Sequence, residues 1–299
     1  MKDLFIKDIE PGKKIKGSFM IMKILYKDEN NRTIMYIGDN TGELKASIIE
    51  GDYELQKGDV IECEAVFETI LKVESFSKQD EFKLEDYLPS VKRPIEDILK
   101  EIEDISKEEF KSEEIITLDR YFFGNNEFLH KFKRGIGGAR QHHNYIGGLA
   151  EHTLNVMYMA KILAYRYNCR NKEIAILGAK LHDIGKTEEY FVEGPFSYTL
   201  RGEMEGHIVI GVTMLEEAFR ENPEIYSEEF KNRMKGCIVQ HHGKMEYGSP
   251  KTPNTEEAYI VHYADYVDAT MNKVAQIKEG LDPNTWSDYD RRIAGKLYI

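Results

Sequence analysis

The hydrophobic period of this chain changes once, near Pro94, and that change restricts the folds open to it. Before it, apolar and polar residues alternate in short runs at 14–21, 33–37, 43–49 and 59–67. The runs are separated by turn-forming stretches: 27–31, Gly38-Asp39-Asn40-Thr41-Gly42, and Lys57-Gly58. Short strands with Gly/Asp/Asn turns at this spacing predict a small antiparallel barrel. After Pro94, which suits the first turn of a helix, Ile95, Ile98, Leu99, Ile102 and Ile105 fall at helical intervals. Their opposite face is acidic, as expected of a solvated helix joining two domains. From about residue 109 the chain reads as consecutive helices, at 149–165, 171–181, 207–219, 228–242 and 255–277. Gly185 is a plausible stop for the second of these, and Pro250 and Pro253 punctuate the gap before the last. The expected class is multidomain, β then α, with a barrel over 1–90, a helical connector over 91–130 and an all-α bundle over 131–299.

At 299 residues the chain has room for about two domains of roughly 100 to 200 residues each. No apolar run approaches the roughly 20 residues of a membrane-spanning helix. The first residues place Asp3 and Asp8 among Leu4, Phe5 and Ile6, unlike a signal-peptide core, so a cytoplasmic location with no membrane partner is the expectation. Cys63, Cys169 and Cys237 are far apart and odd in number, which fits reduced thiols rather than a disulfide framework or a cysteine zinc site. A net charge of −12 is not the footprint of a protein that coats duplex DNA, although a local groove or a metal can hold phosphates within an acidic molecule. Nothing in the chain counts subunits, and a closed homo-oligomer stays open.

The first segment resembles an OB-fold, through the Gly38–Gly42 turn and the Lys57-Gly58-Asp59-Val60 entry into a later strand. That resemblance implies a barrel that holds single-stranded nucleic acid on aromatic platforms. Phe19, Tyr36, Phe67 and Phe76 are the candidate platforms, with filling of the barrel core the preferred alternative. The stretch after Phe67 looks short for a barrel, and Lys72-Val73-Glu74-Ser75-Phe76 is a thin match for a nucleic-acid-binding strand.

The helical segment carries the residues capable of chemistry. They are His152, the pair His182-Asp183, His207, His241 and His242, and Asp265, each group on its own expected helix. Imidazole and carboxylate without thiolate suit divalent Mn, Fe, Co or Zn in a reactive rather than a structural site. Their order (His, His-Asp, His, His, Asp) resembles that of the HD superfamily of metal-dependent phosphohydrolases. The resemblance implies His152, His182, Asp183 and Asp265 on one metal, and His207 and His241 on a second that shares Asp183. Two such ions lie roughly 3.5–4 Å apart and serve in-line displacement at phosphorus. Asp268 stays an alternative to Asp265, and His242 is either a further ligand or a contact to the scissile phosphate. Asp183 and Lys186 are the expected catalytic residues, Lys186 neutralising charge on the phosphate or protonating the leaving group. Arg140, His142 and His143 face the substrate phosphate or serve in packing and capping.

The resemblance extends to the YhaM-type 3′-to-5′ exoribonucleases, which share a barrel, helical connector and HD domain in this order. It is carried by His142-His143-Asn144-Tyr145-Ile146-Gly147-Gly148-Leu149-Ala150-Glu151-His152-Thr153, Leu181-His182-Asp183-Ile184-Gly185-Lys186, Gly206-His207-Ile208, His241-His242-Gly243, Glu246-Tyr247-Gly248-Ser249-Pro250 and His262-Tyr263-Ala264-Asp265. It implies Mn²⁺-dependent removal of nucleoside 5′-monophosphates from the 3′ end of single-stranded RNA, with DNA a further substrate. The alternative enzyme is an HD phosphohydrolase of a nucleotide or cyclic dinucleotide, with the barrel as a regulatory module. A binding module with an inert HD domain is a third alternative, disfavoured because every expected ligand is present.

Overall fold

The computed structural model describes residues 2–49, 54–138 and 143–299. It divides into two compact units, residues 1–90 with 191–197, and residues 91–190 with 198–299.

In the first unit β1 (Lys14–Lys27), β2 (Thr33–Asp39), β3 (Gly42–Ile48), β4 (Val60–Phe67) and β5 (Leu71–Gln79) close a barrel in the order β1-β2-β3-β5-β4. Neighbouring strands are antiparallel except β3 and β5, which run parallel where Ala46 meets Leu71 and Ser47 meets Lys72. The OB-like barrel forms for the reason the alternation implies. Phe19 and Ile21, Met35 and Ile37, Ala46 and Ile48, and Ile61, Cys63 and Ala65 step by two and meet in one buried cluster. Phe19 is core, Phe67 and Phe76 pack against it part-buried, and half-exposed Tyr36 stands apart from that cluster. Tyr36 is paired across strands with Lys23 of β1 and Lys45 of β3. The stretch after Phe67 is a strand of nine residues and not a shortened one. It reads weakly because Lys72, Glu74, Ser75, Ser77 and Lys78 face solvent, leaving few apolar positions to betray it.

The second unit is mainly helical, and a short hairpin of β6 (Tyr190–Phe191) and β7 (Ser197–Tyr198) lies where the chain passes from one unit to the other. Its described helices are α1 (Ile95–Glu109), α2 (Glu113–Phe123), α3 (Asn126–Arg134), α4 (Gly148–Arg166), α5 (Lys172–Leu181), α6 (Lys186–Glu189), α7 (Leu200–Glu221), α8 (Glu228–Gln240) and α9 (Glu256–Lys278). One core runs through them, from Ile98 and Ile102 of α1 to Leu149 and Met157 of α4, Ile176 and Leu181 of α5, Cys237 of α8 and Val261 of α9. The stretch expected as a connector is therefore part of this unit. Its apolar stripe is buried by α4 and α5, and only the acidic face of α1 meets water. Among the described residues no helix is long and apolar enough to cross a membrane.

Candidate metal centre

Three helices and the turns after α5 and α8 deliver the candidate ligands. His152 lies on α4, His182 and Asp183 directly follow α5, His207 lies on α7, His241 and His242 directly follow α8, and Asp265 lies on α9. His152, His182, Asp183 and His241 are each at most 2% exposed.

Local packing explains two glycines. Gly185 has ordinary right-handed dihedrals, so it is not a left-handed helix stop. A Cβ there would lie 2.0 Å from the carbonyl oxygen of His207, so only glycine lets α7 pass this close to the His-Asp turn. Gly206 interrupts α7 with φ 72° and ψ 157°, a region essentially reserved for glycine. That kink explains why α7 begins well before the expected 207, and it turns His207 toward Glu189, whose Oε1 accepts from the His207 backbone N–H at 3.0 Å.

Each ring orientation follows from its outer nitrogen. The Nδ1 of His182, His241 and His242 lies 2.8, 2.6 and 2.8 Å from the carbonyls of Ala179, Ile238 and Tyr247. A carbonyl only accepts, so Nδ1 carries the proton and Nε2 of each neutral ring presents a lone pair. His152 Nδ1 donates likewise to Asp268 Oδ2 at 2.6 Å, and His207 Nδ1 to Glu189 Oε1 at 3.2 Å.

The inward atoms fall into two sets that share Asp183. His152 Nε2 is 3.1 Å from His182 Nε2, 3.3 Å from Asp183 Oδ2 and 3.3 Å from Asp265 Oδ1, and His182 Nε2 is 3.2 Å from Asp183 Oδ2. Two imidazole lone pairs at 3.1 Å repel unless a proton or cation lies between them, and this is the separation of neighbouring donors each ~2.1 Å from one ion. On the other side His207 Nε2 and His241 Nε2 each stand 3.6 Å from Asp183 Oδ1. All three of these atoms are buried without a hydrogen-bond partner, a cost of ~1–3 kcal/mol apiece that a cation would relieve. His207, His241 and His242 cluster closely enough to hold an ion. The residues present fit divalent metal on both sides of Asp183.

Electrostatics point the same way. Burial opposes the charge on Asp183, but Lys186, His182 and His152 hold its pKa well below the usual carboxylate range. Burial also opposes charge on His152, yet Asp183, Asp265 and Asp268 outweigh it and lift that pKa well above the ordinary imidazole value. Burial and the neighbouring His242 lower His241, and burial with nearby His207 lowers His242 to about 4.

The remaining expected residues are placed as follows. Lys186 is buried, its Nζ donating to Asp183 Oδ2 and to the Gly137 carbonyl, both at 2.6 Å, so it neutralises Asp183 rather than reaching outward. His143, expected at a substrate phosphate or in packing, is 1% exposed, with Nε2 on Asp268 and Nδ1 on the Tyr145 hydroxyl, both at 2.8 Å. Its surroundings are those of a packing residue. Asp268 does not replace Asp265: its Oδ2 serves His152 and His143, and Oδ1 accepts from Asn155 Nδ2 at 2.8 Å. Arg140 and His142 lie outside the described residues. Sequence reasoning named Asp265 with Asp268 as its alternative, and it missed Glu189 and Asn155. Only the acidic or amide character of these residues hinted at such roles.

Residues 149–270 match the family of HD domains. The 3′-5′ exoribonuclease YhaM of Bacillus subtilis (strain 168) is 33% identical over 214 residues, 71% of this chain and 66% of the relative, so the chain spans just under two thirds of that relative's length. YhaM of Shouchella clausii (strain KSM-K16) is 29% identical over 266 residues, 85% of this chain and 82% of the relative. Of solved structures, the HD domain of the phosphodiesterase PgpH from L. monocytogenes is 19% identical over 53% of this chain and 77% of that one, with a TM-score of 0.30, too loose a likeness to inform the site.

Proposed function

We propose that this chain is a metal-dependent hydrolase removing nucleoside 5′-monophosphates from the 3′ end of single-stranded RNA, a reading supported by the match of residues 149–270 to HD domains and by the likeness to the YhaM exoribonucleases. The observation that carries this is the division of Asp183, one oxygen facing His152 and His182 and the other facing His207 and His241. Two Mn²⁺-type ions held there would supply Lewis acidity toward the phosphodiester and a nucleophile at neutral pH.

The chain's own groups do the rest. His152, His182, Asp183 and Asp265 would hold one ion, and His207 and His241 with Asp183 the other. Lys186 keeps Asp183 ionised by facing it at 2.6 Å. His242 is neutral near pH 7 and turns a lone pair inward, so it suits a further ligand or a proton acceptor better than a cationic phosphate contact. In the barrel, Tyr36 between Lys23 and Lys45 joins one ring to two cations, a pattern suited to holding a single strand.

The test is incubation of the pure protein and Mn²⁺ with 5′-labelled single-stranded RNA. Stepwise shortening from the 3′ end with release of 5′-monophosphates is expected, and Asp183→Ala abolishes it while far-UV circular dichroism is preserved. Intact RNA beside hydrolysed nucleotide or cyclic dinucleotide would replace this function with the alternative phosphohydrolase.

A further inference from the structure

Helix α9 carries an exposed row of aromatic rings that the metal centre leaves unused. Tyr259, Tyr263 and Tyr266 recur at helical steps of four and three, so they share a face, and they are 48%, 54% and 54% exposed. The row shares α9 with Asp265. Asp265 precedes Tyr266 directly, and half-buried His262 ties the two features together. Its Nδ1 lies 2.8 Å from the carbonyl of His241, and its ring is 5.0 Å from that of Tyr263 and 6.3 Å from that of Tyr266. The side chains of Asp265 on α9 and His207 on α7 are each 14% exposed, against 2% or less for His152, His182, Asp183 and His241, so the centre reaches solvent past these two residues.

Farther along, the rings of Tyr259 and Tyr263 are only 22° from parallel, with centroids 6.4 Å apart. The two rings therefore present adjacent, similarly oriented faces along the helix. Beyond them lies a cavity of about 530 Å³ bordered by Leu163, Tyr167, Tyr259 and Tyr263.

Charge narrows what this row can hold. A protein of net charge −12 is poorly placed to grip a polyanion through its phosphates, whereas neutral rings stack on bases whatever the net charge. Building on the nuclease function above, we propose that His262, Tyr266, Tyr263 and Tyr259 form a stacking track for a single strand whose 3′ end lies at the metal centre.

The test compares wild type with the double variant Tyr263→Ala/Tyr266→Ala, both loaded with Mn²⁺, on a short 5′-labelled oligoribonucleotide and on an abasic ribose-phosphate oligomer of the same length, which has no ring to stack. For the oligoribonucleotide, KM rises roughly tenfold or more in the double variant, since base–aromatic stacking contributes about 1–3 kcal/mol per base. Cleavage of the abasic oligomer is the same in both proteins, and Tyr263→Phe/Tyr266→Phe behaves as wild type. An unchanged KM, with wild type shortening the RNA, overturns the track while leaving the nuclease intact. So does a smaller sedimenting species with unaltered KM, which would make the row an interface between copies. If wild type itself leaves RNA whole, the nuclease function fails and the track falls with it.

Discussion

Asp183 is one buried residue doing two tasks, and its surroundings show how a carboxylate stays ionised in a dry site. Lys186 and the imidazoles offset its desolvation, while its two oxygens face different histidine pairs. The histidines owe their aim to groups behind them. Asp268→Asn and Glu189→Gln should each weaken Mn²⁺ binding by about 10–100-fold, because each loosens one ring without removing a ligand. Isothermal titration calorimetry on the purified variants measures this, and unchanged affinity would mean the rings are held by packing alone. A pH dependence follows from His152. Its folded pKa is raised, so in the metal-free protein its proton stabilises the fold below the ordinary value near 6.5 and that contribution is lost as pH rises through the folded value. Metal must displace this proton. Mn²⁺ affinity should therefore increase with pH, by up to about tenfold per unit below the folded pKa, with proton release seen as a buffer-dependent binding enthalpy.

At the scale of elements, the centre depends on how closely α7 approaches the turn after α5. Gly185 and Gly206 permit that approach for different reasons, one by lacking a Cβ against the His207 carbonyl and the other by its dihedrals. Gly185→Ala should lower stability by about 1–3 kcal/mol through overpacking, read as a fall in Tm. Gly206→Ala should cost ~1–3 kcal/mol in backbone strain and also withdraw His207 from Asp183. Its distinguishing readout is metal stoichiometry by elemental analysis, which falls toward one ion per chain; full occupancy would show that the kink is not what sets His207. In the barrel, β1 pairs with β4 over Lys14–Met20 and with β2 over Met20–Lys27, so one long strand serves two neighbours in turn and lets a short segment close on itself.

At the scale of the whole molecule, the charge of −12 bears on how the proposed single-stranded substrate would be held. Affinity for a single strand, measured by anisotropy with the Asp183→Ala variant over a range of salt, should depend only weakly on ionic strength. A slope of log K on log salt no steeper than about −2 is expected, equal to about three neutralised phosphates at −0.7 each for single strands. A slope near −5 would instead require about seven neutralised phosphates, a more extensive basic groove than Lys23 and Lys45 beside Tyr36.

The change of period at Pro94 and the ordered His, His-Asp, His, His, Asp set were legible because both are local: periodicity is written residue by residue, and ligand chemistry belongs to side-chain type. The barrel core and most helix positions followed from the same signal. What had to wait for the tertiary structure was whatever depends on distant partners. The parallel pairing of β5 with β3 hides behind a strand with one solvated face. Asp268 moved from ligand candidate to support of His152 and His143, because helical spacing cannot say which of two carboxylates on α9 meets a buried imidazole. Lys186 turned inward to Asp183, and Gly185 proved to serve close packing rather than a helix end. Side-chain type decided that this chain could bind metal; the convergence of residues distant in sequence decided which atoms would do so.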